Sequence, residues 1–231
     1  MDLIDRIYTD WPFYGNRRMK AELNNEYNIS IGRKHIRTLM HTMGLEAIYP
    51  KPKLSVPGDN HKIYPYLLRN VKIVKPNQVW STDITYVKLE HGWAYLVAII
   101  DWYSRYVLDW KVSNNLEIEF CLDCLTDTLT TETIPDIFNS DQGSHFTSAQ
   151  FTSILKERGI NISMDGRGRC LDNIFVERLW RSVKQENIYL NNYVDVKDAR
   201  NGLTEYFKFY NQKRRHQSLG YKTPMEIYFK K

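Results

Sequence analysis

Residues 79–87 read V-W-S-T-D-I-T-Y-V. The stretch is dense in β-branched and aromatic residues and holds no Gly or Pro, which predicts a buried strand. One charge, Asp83, stands at its centre. A carboxylate inside an apolar strand is costly unless it has a partner, either a structural hydrogen bond or a cation. Two more acids stand in comparable frames. Asp141 closes the apolar run I-P-D-I-F-N-S-D just before Q-G-S, and Glu177 lies in D-N-I-F-V-E-R-L-W-R-S-V-K, whose spacing predicts a helix. Between Asp141 and Glu177 lie 35 residues. A pair of divalent cations roughly 3.5–4 Å apart needs converging carboxylates, and two strand-borne Asp with one helix-borne Glu would supply them.

The flanking pattern extends this frame. Residues 94–101 and 106–112 predict two further strands, with Ser104 and Arg105 in the turn between them. A helix is expected over 116–129 and a fourth strand over 134–140, which delivers Asp141 at its end. Residues 147–159 predict a helix capped by Thr147 or Ser148, with Phe151, Ile154 and Leu155 as its apolar stripe. A last strand follows at 160–164, then Gly166 and Gly168, then long helices near 172–189 and 195–212. Trp80, Trp93, Trp102 and Trp110 read as core or strand-face aromatics, not as platforms for stacked bases.

Upstream, residues 3–15, the Met19/Leu23 pair and 31–44 predict short helices. Gly44 is placed as a C-terminal stop, and Arg33, Lys34 and Arg37 share the polar face of the last helix. Domain boundaries are therefore expected at 1–50 for a small helix-turn-helix-like DNA-binding domain, 51–76 for a Pro-rich basic linker, and 77–231 for the strand-rich core with a helical extension. Residues 1–75 carry thirteen Lys/Arg against seven Asp/Glu, whereas the remainder carries nineteen against twenty. So the net charge of +5 is concentrated in the first third, which fits a polyanionic partner or a solvated basic surface. Hydrophobic content of 42% with 26% charged residues fits a globular chain. No apolar run is long enough to span a bilayer, and Asp2, Asp5 and Asp10 argue against a leader, so a cytoplasmic location is expected. Cys121 and Cys124 form C-x-x-C without a second pair, and are read as reduced core thiols in preference to a zinc or redox site.

The motifs W-S-T-D-I-T-Y, Y-L-V-A-I-I-D-W-Y-S-R, N-S-D-Q-G-S-H-F-T-S, D-N-I-F-V-E-R-L-W-R-S-V-K and K-T-P-M-E resemble those of bacterial insertion-sequence transposases of the DDE class. That class is related to retroviral integrases, and within it the chain is most similar to the catalytic product of the second reading frame. Y-G-N-R-R-M and M-G-L-E-A-I-Y-P-K-P resemble the small helical domain that precedes the core, with Asn16 a minor departure. The resemblance implies an α/β RNase H-like core, a mixed five-stranded sheet with flanking helices. It implies DNA strand cleavage and strand transfer with Asp83, Asp141 and Glu177 as catalytic residues and as ligands of two Mg²⁺ (or Mn²⁺) ions. Asp83 and Asp141 would share one ion, and Asp83 and Glu177 the other.

On the helix bearing Glu177, the residues Asn173, Arg181 and Lys184 fall on its face at helical spacing. They are expected to meet DNA, as are Arg167 and Arg169 in the glycine-containing loop. Salt-bridged surface positions are the alternative for Arg181 and Lys184. Gly143 is expected to give the backbone room beside the metals. His145 is a candidate for proton transfer, hydrogen bonding or stacking. Lys213, Arg214, Arg215 and His216 are expected to contact either DNA or protein. The implied partners are double-stranded DNA (element ends and target), further copies of the chain, and an upstream-frame product of the same element. A catalytically silent DNA-binding regulator and a monofunctional nuclease are the competing readings.

Overall fold

The computed structural model describes residues 1–48, 62–131, 133–166 and 173–230. Arg167 and Arg169 lie outside the described residues, as do positions 49–61 of the Pro-rich stretch. The chain forms two compact units, Met1–Val56 and Pro57–Lys231.

The first unit holds α1 (Asp2–Asp10), α2 (Asn16–Asn25) and α3 (Arg33–Thr42). Each helix contributes one apolar pair a turn apart: Ile4 and Ile7, Met19 and Leu23, Ile36 and Met40, all buried together. The pattern is the i, i+3/i+4 stripe that lets short helices bury one face. Gly44 ends α3 with φ +68, a left-handed position that glycine adopts freely. Its neighbour Leu45 donates its N–H to Met40 O.

In the second unit β1 (Val79–Lys88), β2 (Trp93–Asp101) and β3 (Val107–Ser113) form an antiparallel meander. After α4 (Glu119–Thr128), β4 (Ile137–Ser140) pairs parallel with β1. The short α5 (Ser144–Thr147) and α6 (Ala149–Glu157) lead to β5 (Asn161–Met164), parallel to β4. The sheet order is β3-β2-β1-β4-β5. This is the mixed five-stranded sheet that the family resemblance implies.

Helices cover both sheet faces. One face packs Trp80, Val97, Ile99 and Phe138 against α4 and α6. The other packs Leu96, Ala98 and Ile100 against α7 (Ile174–Val183) and α8 (Val196–Gln212). That double cover explains why the last six residues of β2 are buried without alternation.

Several boundaries depart from the sequence reading for physical reasons. β4 begins at Ile137 instead of 134, because Pro135 has no N–H for the ladder. Ser148 takes an extended ψ of 150 and accepts from Phe151 N, so it caps α6 and separates it from α5. The helix expected to run to 189 is α-helical only to Val183 and continues as a π-helix over Lys184–Ile188. A final helix, α9 (Pro224–Tyr228), was not anticipated. Thr223 and Glu226 close a reciprocal capping box at its start, with Pro224 at the first position, a local signature present in T-P-M-E. Cys121 and Cys124 are buried and free, as core thiols would be. Trp93 is 57% exposed, edge-on to Tyr86 on the open strand face. Among the described residues no helix is long and apolar enough to cross a membrane.

Candidate active site

β1 and β4 are parallel with Ser81 abreast of Asn139. Two residues further along, that register places Asp83 beside Asp141, where β4 ends and β1 continues. Asp83 pairs across to Ala98 on β2, a residue of the sheet face that α7 covers. Trp180 of α7 donates Nε1–H to Asp83 Oδ2 at 3.0 Å. Glu177, one turn earlier on α7, is exposed.

Burial, the negative charge of Asp141 and that of Glu177 push the Asp83 carboxyl up to about 6, against the Ile84 N–H and the Trp180 donor, which favour the charged form. Asp141 and Glu177, distant in sequence, therefore both act on Asp83 through space.

Asp141 is held from its own loop. Gly143 N donates to Asp141 Oδ1 at 2.9 Å, and a Cβ on Gly143 would stand 2.8 Å from that oxygen. Glycine permits the close approach of the Asp141 carboxylate here, and its φ of −62 is ordinary. Asn139 and Gln142 tie the same end of β4 to Asp165, at 2.8 Å each.

The N-terminus of α7 is anchored by Asn173, whose Nδ2 donates to Thr82 O at 3.3 Å. Asn173 is buried, and its Oδ1 meets no partner among the described residues. So Asn173 does not share the open face with Arg181, where a straight helix through 184 would put it. It closes the helix onto the strand, and the expectation that it contacts DNA is corrected on burial.

Arg181 is exposed and Lys184 half-buried, and neither enters an ion pair among the described residues. His145 Nε2 lies 2.8 Å from Leu116 O, so that nitrogen carries the proton and points at backbone. Arg214 turns inward onto Glu186, whereas Arg215 reaches Tyr221 O. In the first unit Arg33, Lys34 and Arg37 are all exposed on α3, opposite Ile36 and Met40.

Trp180 escaped the sequence reading because an aromatic next to an apolar stripe looks like core. Its spacing of three from Glu177 was the available signal.

Among the described residues no group of three or more His, Cys, Asp or Glu side chains already stands close enough to cage a metal. The donor set nonetheless fits one. It is all hard carboxylate oxygen, which suits Mg²⁺. Burial and the neighbouring charges of Asp141 and Glu177 also disfavour a charged Asp83, which a bound cation would offset.

Residues 74–170 and 158–224 each match the integrase core domain family, and residues 1–53 match an HTH-like domain. The transposase for insertion sequence element IS904 from Lactococcus lactis subsp. lactis (strain IL1403) is 30% identical over 227 residues, covering 93% of this chain and 87% of that protein. The InsK protein of insertion sequence element IS150 from Escherichia coli (strain K12) is 33% identical over 219 residues, covering 92% of this chain and 76% of its own.

Among solved structures, the HTLV-2 integrase catalytic core domain in complex with magnesium superposes with a TM-score of 0.55 at 19% identity, covering 68% of this chain and 99% of that one. A simian T-cell lymphotropic virus intasome gives 0.61 at 15% identity over 99% of this chain and 75% of that one. The structural likenesses establish the RNase H-like fold. With the identity and coverage of the IS904 and IS150 proteins, they place the chain in its family: it belongs to the insertion-sequence transposases of the DDE type.

Proposed function

We propose that Asp83, Asp141 and Glu177 are the catalytic carboxylates and that they hold two divalent cations, Mg²⁺ or Mn²⁺, for cutting and joining DNA. Family membership assigns the chain to DNA transposition and integration. The observation that carries the residue assignment is the convergence of β1, the end of β4 and α7, which brings Asp141 and Glu177 within electrostatic reach of Asp83. When bound, the ions would activate a water or a 3′-OH and neutralise charge on the leaving oxygen.

The chain's own groups prepare this. Trp180 and Ile84 N–H orient Asp83, and Gly143 N orients Asp141. Asn173 fixes the start of α7, and hence Glu177, against β1. Arg181 and Lys184 supply positive charge for DNA phosphates on the same helix, and Arg33, Lys34 and Arg37 do so from the first unit.

Partners on this reading are element-end and target duplex, further copies of the chain, and an upstream-frame product. Sizing the chain on end DNA with and without that product tests the last two. If the mass does not change in either case, those two assignments fall.

The decisive experiment replaces Asp83→Asn, Asp141→Asn and Glu177→Gln separately. Each amide is nearly isosteric yet cannot balance a cation. Cleavage and joining in Mg²⁺ or Mn²⁺ should vanish in all three while cooperative unfolding persists. A variant that joins DNA at the wild-type rate would remove its residue from the site.

A further inference from the structure

Arg105 is not used by the catalytic reading, and its surroundings are unusual for an arginine. It lies in the turn between β2 and β3 with φ +64. The other non-glycine residues with positive φ among those described are Asn28, Asn70, Asn77 and Tyr221, so Arg105 is the one with a charged side chain. A bulky side chain in that region is strained, and such strain persists where something else holds the residue.

The guanidinium lies 3.8 Å from the Phe175 ring centroid, and Phe175 packs on Trp102 at 4.7 Å. It makes no ion pair or hydrogen bond with a described residue. Asp101, four residues earlier, is committed elsewhere: Oδ1 accepts from Asn77 N, and Oδ2 from Ser104 N and Oγ. Burial pushes the Arg105 guanidinium down to about 10, against Tyr210 and the Asp101 carboxylate and with the like charge of Arg178, so it is still a cation at neutral pH. A half-buried cation with no direct ion pair has donors left for an anion.

The guanidinium opens on a cavity of about 330 Å³, walled by Trp102, Tyr103 and Phe175 and closed by Ser218, Leu219 and Ile227 of the C-terminal segment.

We infer that this cavity is a phosphate subsite: the planar fork of Arg105 takes a backbone phosphate of the DNA strand. Arginine suits the task because its parallel N–H groups meet two oxygens of one phosphate. Phe175 presents the fork from below, and Trp102 holds Phe175. The subsite rests on the catalytic reading only in naming DNA as the source of the phosphate.

The test uses duplexes cut from the terminal inverted repeat that flanks the coding sequence, with Ca²⁺ present, so that binding is read without chemistry. Arg105→Asn suits the left-handed backbone but has no charge. It should bind about ten-fold more weakly and lower the slope of log affinity against log salt by about one. Arg105→Lys should restore the slope and only part of the affinity. A scan of single neutral methylphosphonates should reveal one position that weakens wild type about ten-fold and leaves Arg105→Asn unaffected.

If Arg105 merely plugs the turn, Arg105→Asn will melt lower while affinity, slope and phosphonate profile stay at wild-type values. That result overturns the subsite. Should Arg105→Asn not fold, an identical phosphonate profile for Arg105→Lys and wild type, down to the depth of each dip, overturns it equally. Joining by Asp83→Asn would sink the catalytic reading instead and leave the binding data intact.

Discussion

Gly143 and Asp83 separate stability from function at the level of single residues. Gly143 has an ordinary φ of −62, so alanine fits the backbone, yet its Cβ would lie 2.8 Å from Asp141 Oδ1. The carboxylate must then swing away and lose the Gly143 N–H. Gly143→Ala should melt within a few degrees of wild type but join DNA about a hundred-fold more slowly, the scale expected for a catalytic group displaced by an ångström. Equal joining rates would show that Asp141 need not sit where Gly143 N holds it. Asp83 makes the opposite case. Its charge is disfavoured by burial and by two neighbouring acids, so the charged form is destabilising at neutral pH. Asp83→Asn keeps an oxygen to accept from Trp180. It should raise stability by about 1–2 kcal/mol in metal-free buffer, after allowing for solvent screening of a half-buried group. Chemical denaturation at pH 8 in chelator reads this directly. A less stable Asp83→Asn would mean that the carboxylate is structural.

At the scale of elements, the π-turn after α7 is locked by the C-terminal segment. Arg214 grips Glu186 through Nε at 2.8 Å and NH2 at 2.6 Å, Tyr206 OH donates to the same carboxylate at 2.9 Å, and Arg214 NH1 meets His216 Nε2 at 3.0 Å. Glu186 sits nine residues after Glu177, so this clamp fixes the far end of the helix that carries Glu177. A double-mutant cycle with Glu186→Gln and Arg214→Met should return a coupling of about 1–3 kcal/mol, as a half-buried bidentate pair warrants. Coupling near zero would reduce the clamp to a surface ion pair. His216 adds a pH dependence. Burial, then Arg214 and Arg105, lower its imidazole from 6.5 to about 4 in the folded chain. As pH falls, the unfolded chain takes up this proton first. The stability contributed is therefore complete above about 6.5 and is lost as pH drops toward about 4. His216→Gln, which keeps an acceptor for Arg214, should flatten denaturation midpoints between pH 7 and 5, and an unaltered slope would discount His216 as the source.

The strands and helices around the acids were legible in the sequence because β1 is dense in β-branched and aromatic residues and α6 carries an apolar period of about 3.6. The acids were legible because charge inside apolar runs is conspicuous. The clamp was not, because Arg214 and Glu186 are 28 residues apart and nothing local distinguishes a tertiary ion pair from a basic surface run. The π-turn was equally hidden, since Lys184–Ile188 is compatible with an ordinary helix. Asn173 shows the same limit, its helical spacing having pointed outward whereas the register with Thr82 turned it in.

The whole molecule is two units with separate cores. Ile4, Ile7, Met19, Leu23, Ile36 and Met40 make one, and the two faces of the sheet make the other. A chain of residues 57–231 should therefore fold cooperatively without the first unit. It should also bind duplex with a salt slope lower by about three if Arg33, Lys34 and Arg37 each touch a phosphate. An unchanged slope would take those three off the DNA. Within the larger unit α9 returns to the segment just before β1: Tyr228 OH donates to Asn77 Oδ1 across 151 residues, and its ring stacks on Tyr106 at 4.7 Å. During synthesis the ribosome releases the β1–β3 meander first, but the pieces that close it arrive last. Asp83 thus waits through the making of almost the entire remaining chain before Glu177 is held in place at both ends of its helix. A polypeptide stopped at residue 212 would carry all three acids and no clamp, and it should protect the core amides of α7 far less in hydrogen exchange while leaving those of β2 largely as they are. Equal protection of α7 would refute this order. An interrupted translation product of this gene would then carry Asp83, Asp141 and Glu177 without the scaffold that holds them to one another.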